Sequence, residues 1–207
     1  MIKKENFFWI GYSDLMTSLF FIMLVLFVVT IGYLQFQKNA TERQLKKIQE
    51  LQTSVQQLDS SYFEYQPQYK RFKFKQQIQF DRGKSDIAIV YYKYLIGVGN
   101  SISKLILKLN NDPKFKGLDI KYLVVIEGMA SKDNFPYNFE LSYERSLALY
   151  RLWKSNGISF DPKICEIQIA GSGTEGIRDY SGAQEFMNQQ FLIHIIPKMG
   201  KILDSKL

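Results

Sequence analysis

The sequence predicts a single N-terminal transmembrane α-helix, a helical linker and a C-terminal α/β sandwich of the order βαβαβ…β with a mixed sheet. Three observations carry that reading. An uncharged apolar run extends from Leu15 to Leu34, the stretch from Lys38 to Gln66 holds neither glycine nor proline, and from Tyr69 onward period-two alternation trades places with helical spacing. The expected boundaries are a short tail at 1–6, a membrane span at 7–34, a linker at 35–68, a sandwich at 69–200 and a tail at 201–207.

The span comes first. About twenty residues cross the roughly 30 Å hydrocarbon layer, and Phe7–Tyr12 extends the apolar run beyond that length. Lys3 and Lys4 would suit a cleavable signal peptide. The apolar region is too long for one, however, and no small-x-small cleavage site follows "IGYLQFQ". Basic residues flank both ends, Lys3 and Lys4 before, Lys38, Arg43, Lys46 and Lys47 after, so charge counting leaves the orientation open.

Asp14 is the anomaly in this run. A carboxylate at such depth is disfavoured by roughly 2.5–3.5 kcal/mol on insertion scales. Thr17 and Ser18, three and four residues on, share its helical face. Three readings stand side by side: an N-cap for a shorter span starting at Leu15, a structural hydrogen bond to a partner helix, or an ion carrier in a protein-lined cavity. In the last, desolvation favours the protonated form, so that the group can bind and release protons near neutral pH.

The linker follows. Ile48, Leu51, Val55, Leu58 and Tyr62 recur at alternating spacings of three and four, a short heptad seam that predicts pairing with a second copy of the chain; a solvated single helix is the alternative. In the sandwich, "YKRFKFKQQIQF", "DIKYLVVIEG", "EIQIAG" and "QFLIHIIP" read as strands. "YLIGVGNSISKLILKL" and "LSYERSLALYRLWKSNG" read as helices, the second closed by Gly157 at C′. "GSGTEG" at Gly171–Gly176 matches a dinucleotide-binding pattern, but no acidic second strand follows it, and it reads as a loop.

Composition narrows the chemistry. A net charge of +7 over 207 residues suits nucleic acid, anionic lipid or a polyanionic polymer without choosing among them. Cys165 and His194 are the only cysteine and histidine, so neither an internal disulfide nor a Cys/His zinc site is available, and both read as strand residues. There is no Ser/His/Asp set and no catalytic carboxylate pair, so the expectation is a non-enzyme without cofactor or metal.

Two stretches at opposite ends resemble one family. "WIGYSDLMTSLFFIMLVLF" is similar to the transmembrane segment of MotB-type stator subunits, and "NFELSYERS" at Asn138–Ser146 to the N-x-E-L-S-x-x-R-A/S signature of OmpA-like peptidoglycan-binding domains. The resemblance implies a homodimer inside a ring of five MotA-like multi-span membrane subunits. Asp14 would carry protons, Thr17 and Ser18 would line the path, and the C-terminal domain would grip peptidoglycan. It also implies an inner-membrane protein with a cytoplasmic N-terminus, a periplasmic domain and no direct nucleic-acid binding. The form "FFWIGYSDLMTSLFF" is most similar to ZorB subunits of Zorya anti-phage systems, with ZorA as the ring subunit. A flagellar or gliding stator, a passive membrane-to-wall tether and a TolR/ExbD-like transducer are the rivals.

For the wall-binding site the resemblance implies Asn138, Leu141, Ser142, Arg145 and Asn188. In the family an Asp at the end of the second strand joins the motif Arg in clamping the charged ends of a diaminopimelate side chain, as an acid–arginine pair suits a zwitterion. Here Ser131 stands at that position, with Asp133 two residues on as the replacement. The family's N-R-R-V becomes Asn188-Gln189-Gln190-Phe191, which implies weaker wall binding or an altered stem-peptide preference.

Overall fold

The computed structural model describes residues 3–116 and 118–199; the expected tail at 201–207 lies outside them, as do the first two residues of the tail at 1–6. Two compact units divide the chain, Met1–Gln49 and Glu50–Leu207.

The first unit is helical. Helix α1 spans Lys3–Val55, and its residues 50–55 belong to the second unit. Its apolar side chains from Trp9 to Phe36 are exposed on every face. A helix that is hydrophobic all round needs an apolar medium around it. This is the one helix among the described residues long and apolar enough to cross a membrane, with a mean hydropathy of 2.6 over its most apolar window. Asp14 lies about three turns beyond the start of α1. A cap has non-helical backbone and precedes the first turn, so the N-cap reading of Asp14 is excluded.

The second unit is an α/β sandwich. Strands β1 (Phe63–Gln66), β2 (Arg71–Phe74), β3 (Ile120–Gly128), β4 (Cys165–Gly171) and β5 (Phe191–Met199) form one sheet in the order β1-β2-β5-β3-β4. Only β3 and β4 are parallel. Parallel neighbours need a crossover, and α3 (Asn138–Ser155) supplies it. Helix α2 (Tyr92–Asn110) joins it on the same face, burying Leu95, Val98, Ile102, Ile106 and Leu109 at helical spacing. Beneath them lie Tyr122, Val124 and Ile126 of β3 and Ile193 and Ile195 of β5, in cross-strand register. Trp153 of α3 is fully buried, and its Nε1 donates to the carbonyl of Leu95, 2.8 Å away. Gly157 has φ +74°, as its expected C′ position requires.

The linker departs from expectation. Residues 63–66 form β1, in a hairpin with β2 that pairs Phe63 with Phe74 and Tyr65 with Phe72. The strand expected over Tyr69–Phe80 is confined to Arg71–Phe74; beyond it an extended segment buries Ile78 without joining the sheet. The heptad seam is also used differently. Leu51, Val55 and Leu58 are buried in the same core cluster as α2, and Tyr62 packs against Tyr94 with ring centroids 5.6 Å apart. An apolar face covered by its own chain is not available as a coiled-coil seam, which corrects the expected dimer contact at those residues.

Two glycines set the height of α3 over the sheet. Gly128 and Gly171 are paired neighbours at the ends of β3 and β4. A Cβ on Gly128 would lie 2.1 Å from the Ser142 carbonyl oxygen, and one on Gly171 would lie 2.4 Å from the Tyr143 backbone nitrogen. Backbone cannot yield as a side chain can. Gly128→Ala is therefore expected to destabilise the domain by about 3 kcal/mol or more; a thermal melt within a degree of wild type would contradict this close approach.

Candidate functional site

After Gly128 the chain turns through Ser131 and Asp133 and enters α3 at Asn138. Asp133 organises that turn. Its Oδ1 accepts from the backbone N–H of Phe135 and from Asn138 Nδ2, both at 3.0 Å, and Nδ2 also donates to the Phe135 carbonyl at 2.9 Å. Burial would raise the pKa of Asp133, but these two bonds and the charges of Arg82 and Arg145 hold it below the usual carboxylate range. The carboxylate is ionised at neutral pH.

Arg145 stands one helical turn after Leu141 on the same face of α3. It is 2% exposed. Its Nε donates to the Lys84 carbonyl at 3.1 Å and its guanidinium carbon sits 4.4 Å from the centre of the Phe80 ring. The buried Nη1 meets no hydrogen-bond partner. Burial lowers its pKa to about 10, against the opposing pull of Asp133, so the group is still a cation at pH 7. A buried cation with an idle donor is costly unless an anion is supplied from elsewhere.

These residues line one cleft of about 340 Å³, into which Ser131, Asp133, Asn138, Leu141 and Arg145 all converge. Phe80, Arg82, Glu185, Phe186 and Gln189 complete its lining together with Gly83 and Lys132. A carboxylate fixed by Phe135 and Asn138 and a buried guanidinium bonded through Nε to the Lys84 carbonyl share this cleft, and such a pair can receive a ligand carrying both charges.

Two of the expected site residues lie elsewhere. Ser142 is in the second turn of α3, not at its start; its Oγ donates to the Phe139 carbonyl at 2.8 Å and accepts from the Gly173 N–H at 2.9 Å. It fastens the "GSGTEG" loop, which runs on without the helix a dinucleotide site needs. Asn188 is fully buried beneath the neighbouring loop. Its Oδ1 accepts from the N–H groups of Asp179 and Tyr180, both at 3.1 Å, and its Nδ2 donates to the Tyr180 carbonyl and to Glu185 Oε2. Both are staples of the scaffold around the cleft.

Phe80, Arg82, Glu185 and Phe186 were not singled out in the sequence, because the first two come from a segment without regular structure and the others from a short 3-10 turn without distinctive spacing. Gln189 carried a signal as a departure from the family pattern. Its Nε2 donates to Ser131 Oγ at 2.9 Å, so the two departing positions bond to each other as a neutral pair.

In the first unit, Asp14, Thr17 and Ser18 share a face of α1, and the Thr17 hydroxyl donates to the Ser13 carbonyl at 2.7 Å. Cys165 and His194 are strand residues as expected, in β4 and β5. Burial pushes the Cys165 thiol up to about 12, and His194 Nε2 lies 2.6 Å from Glu127 Oε2.

The outer sheet face is ionic. Asp179 pairs with Lys73 at 3.1 Å and with Arg71 at 3.4 Å, and Arg178 pairs with Glu185. In Glu127, Asp133, Asp179 and Glu185 burial opposes ionisation, but hydrogen bonds from His194, Asn138, Lys73 and Arg178 respectively outweigh it, and all four carboxyls titrate below their ordinary range. Depressed carboxylates stabilise the fold fully above their unfolded values near 4, and that contribution disappears as pH falls through the lower folded values. The melting temperature of the domain is expected to be level from about pH 7 to about pH 5 and to fall steeply below about pH 4. A melting temperature that rose on acidification below pH 4 would contradict these assignments.

No protein-family model and no curated protein matches the chain. Among solved structures it is similar to the periplasmic domain of Helicobacter pylori MotB, at 14% identity and a TM-score of 0.42, over 60% of this chain and 74% of that one. A protein described as MotB-like from Desulfovibrio vulgaris is similar at 13% identity and a TM-score of 0.45, over 80% and 99%. The peptidoglycan-associated lipoprotein from Burkholderia pseudomallei is similar at 13% identity and a TM-score of 0.39, over 58% and 88%.

Proposed function

We propose that this chain is a MotB-type stator subunit, of the ZorB kind, that conducts protons through Asp14 and anchors to peptidoglycan through the cleft of its C-terminal domain. In this reading α1 spans the inner membrane with its N-terminus in the cytoplasm. Two copies stand inside a five-membered ring of a MotA/ZorA-like subunit, and the domain lies in the periplasm. The motor serves anti-phage defence. The chain works by position and ion passage and is not an enzyme.

The observation that carries the reading is the buried, unpartnered Nη1 of Arg145, a residue that lines the same cleft as Asp133, on a chain whose exposed apolar helix holds an internal carboxylate. A wall stem peptide with a zwitterionic side chain offers the carboxylate Arg145 lacks and the ammonium that Asp133 can accept. Asp14, interior to α1, is disfavoured in lipid but not against a protein-lined path. The full-length protein in detergent micelles is expected to co-sediment with purified sacculi. Recovery in the supernatant, equal with and without sacculi, would remove the anchoring half of this reading.

A further inference from the structure

We infer that Phe186 is a sugar-stacking platform at the mouth of the cleft, so that the unit recognised is a stem peptide still attached to its glycan rather than the peptide alone. The inference rests on the wall-binding reading and deepens it.

Phe186 lines the cleft, yet is 53% exposed. A large aromatic left in water at the edge of a charged cleft forgoes burial that the core could have offered. Its position is not loose. Glu185, immediately before it, accepts from the Lys132 backbone N–H at 2.8 Å and pairs with Arg178. Asn188, two residues after it, makes the four bonds that pin the loop to Asp179, Tyr180 and Glu185. The 3-10 turn Gly182–Asn188 is thus tied down on both sides of Phe186 while the ring projects free. A rigidly presented aromatic loses little conformational freedom on binding, the condition under which stacking contributes most to affinity.

The surroundings fit a saccharide. The axial C–H face of a pyranose packs on an aromatic ring, and its equatorial hydroxyls seek donors and acceptors at the ring's edge. Arg82, Lys132 and Gln189 supply such groups in the same cleft. A glycan strand is covalently continuous with the stem peptide that Arg145 and Asp133 would hold, so one ligand reaches both.

The test uses the full-length protein in detergent micelles and two probes: a disaccharide–tetrapeptide from digested peptidoglycan, and the same tetrapeptide freed of its sugars by an amidase. Calorimetric titration is expected to show the disaccharide form binding about tenfold more tightly. Phe186→Ala, and Phe186→Leu, which keeps apolar bulk but no ring face, collapse that ratio towards one, with melting curves confirming that both variants fold. A wild-type ratio of one, or a ratio unchanged in both variants, overturns the platform while leaving the wall-binding reading standing. Binding of neither probe overturns both.

Discussion

Replacing Asp14 with asparagine is expected to reduce ion flux to background while leaving the protein folded, inserted and assembled. The two side chains are nearly equal in volume, but an amide cannot take up and release a proton, and it is less disfavoured in an apolar medium than a carboxylate. Asp14 lies in the interior of α1, so the substitution removes no helix cap. The measurement is cytoplasmic acidification in cells that co-express this chain with the multi-span ring subunit proposed above, together with co-purification of the two. Flux retained in Asp14→Asn sinks the ion-carrying role. Flux and assembly lost together would instead make Asp14 a structural contact between helices, as in a passive tether.

The second large effect concerns Arg145, and its two readouts move in opposite directions. Arg145→Met keeps much of the side chain's volume and removes a buried charge whose Nη1 has no partner. Exchanging a poorly compensated buried charge for an apolar group is often neutral or stabilising, so the melting temperature is expected to stay level or rise by up to about 6 °C. Sacculus binding is expected to weaken by about 30-fold or more, as when one member of a desolvated charge pair is removed. An unfolded Arg145→Met would show that the bond to the Lys84 carbonyl and the contact with Phe80 make this arginine part of the scaffold. A stable variant with unchanged sacculus binding would place the wall contact elsewhere.

Much of the fold was legible in the sequence. Strands β3, β4 and β5 and helices α2 and α3 follow from period and from terminators such as Gly157. Strand β2 lies within the strand read at Tyr69–Phe80, but β1 and its hairpin with β2 were not legible. The four residues of β1 offer only two per face, too short an alternation to stand out beside a glutamine- and serine-rich helical stretch. Leu51, Val55 and Leu58 show a second limit: spacing reveals that an apolar face exists, not whether a second chain or the same chain covers it.

In the candidate site, Arg145 was singled out by the signature at Asn138–Ser146 and Asp133 as the acid nearest Ser131, and the fold brings both to one cleft. Ser142 and Asn188 belong to the same motifs but hold loops, since short motifs record residues needed for geometry alongside those that meet a ligand. Phe80 enters from an irregular segment and Phe186 from a short 3-10 turn far along the chain. Only the fold brings them to the cleft.

The burial of Leu51, Val55 and Leu58 decides where proteolysis can separate the C-terminal domain from the apolar helix. A cut upstream of Glu50 leaves every member of the core cluster on the released fragment, which can keep its cleft intact. A cut a few residues later, in the turn between Val55 and Phe63, strips Leu51 and Val55 from the core cluster and leaves a large apolar scar in their place. A protease acting before residue 50 therefore yields a lasting soluble fragment, whereas one acting between Val55 and Phe63 begins its destruction.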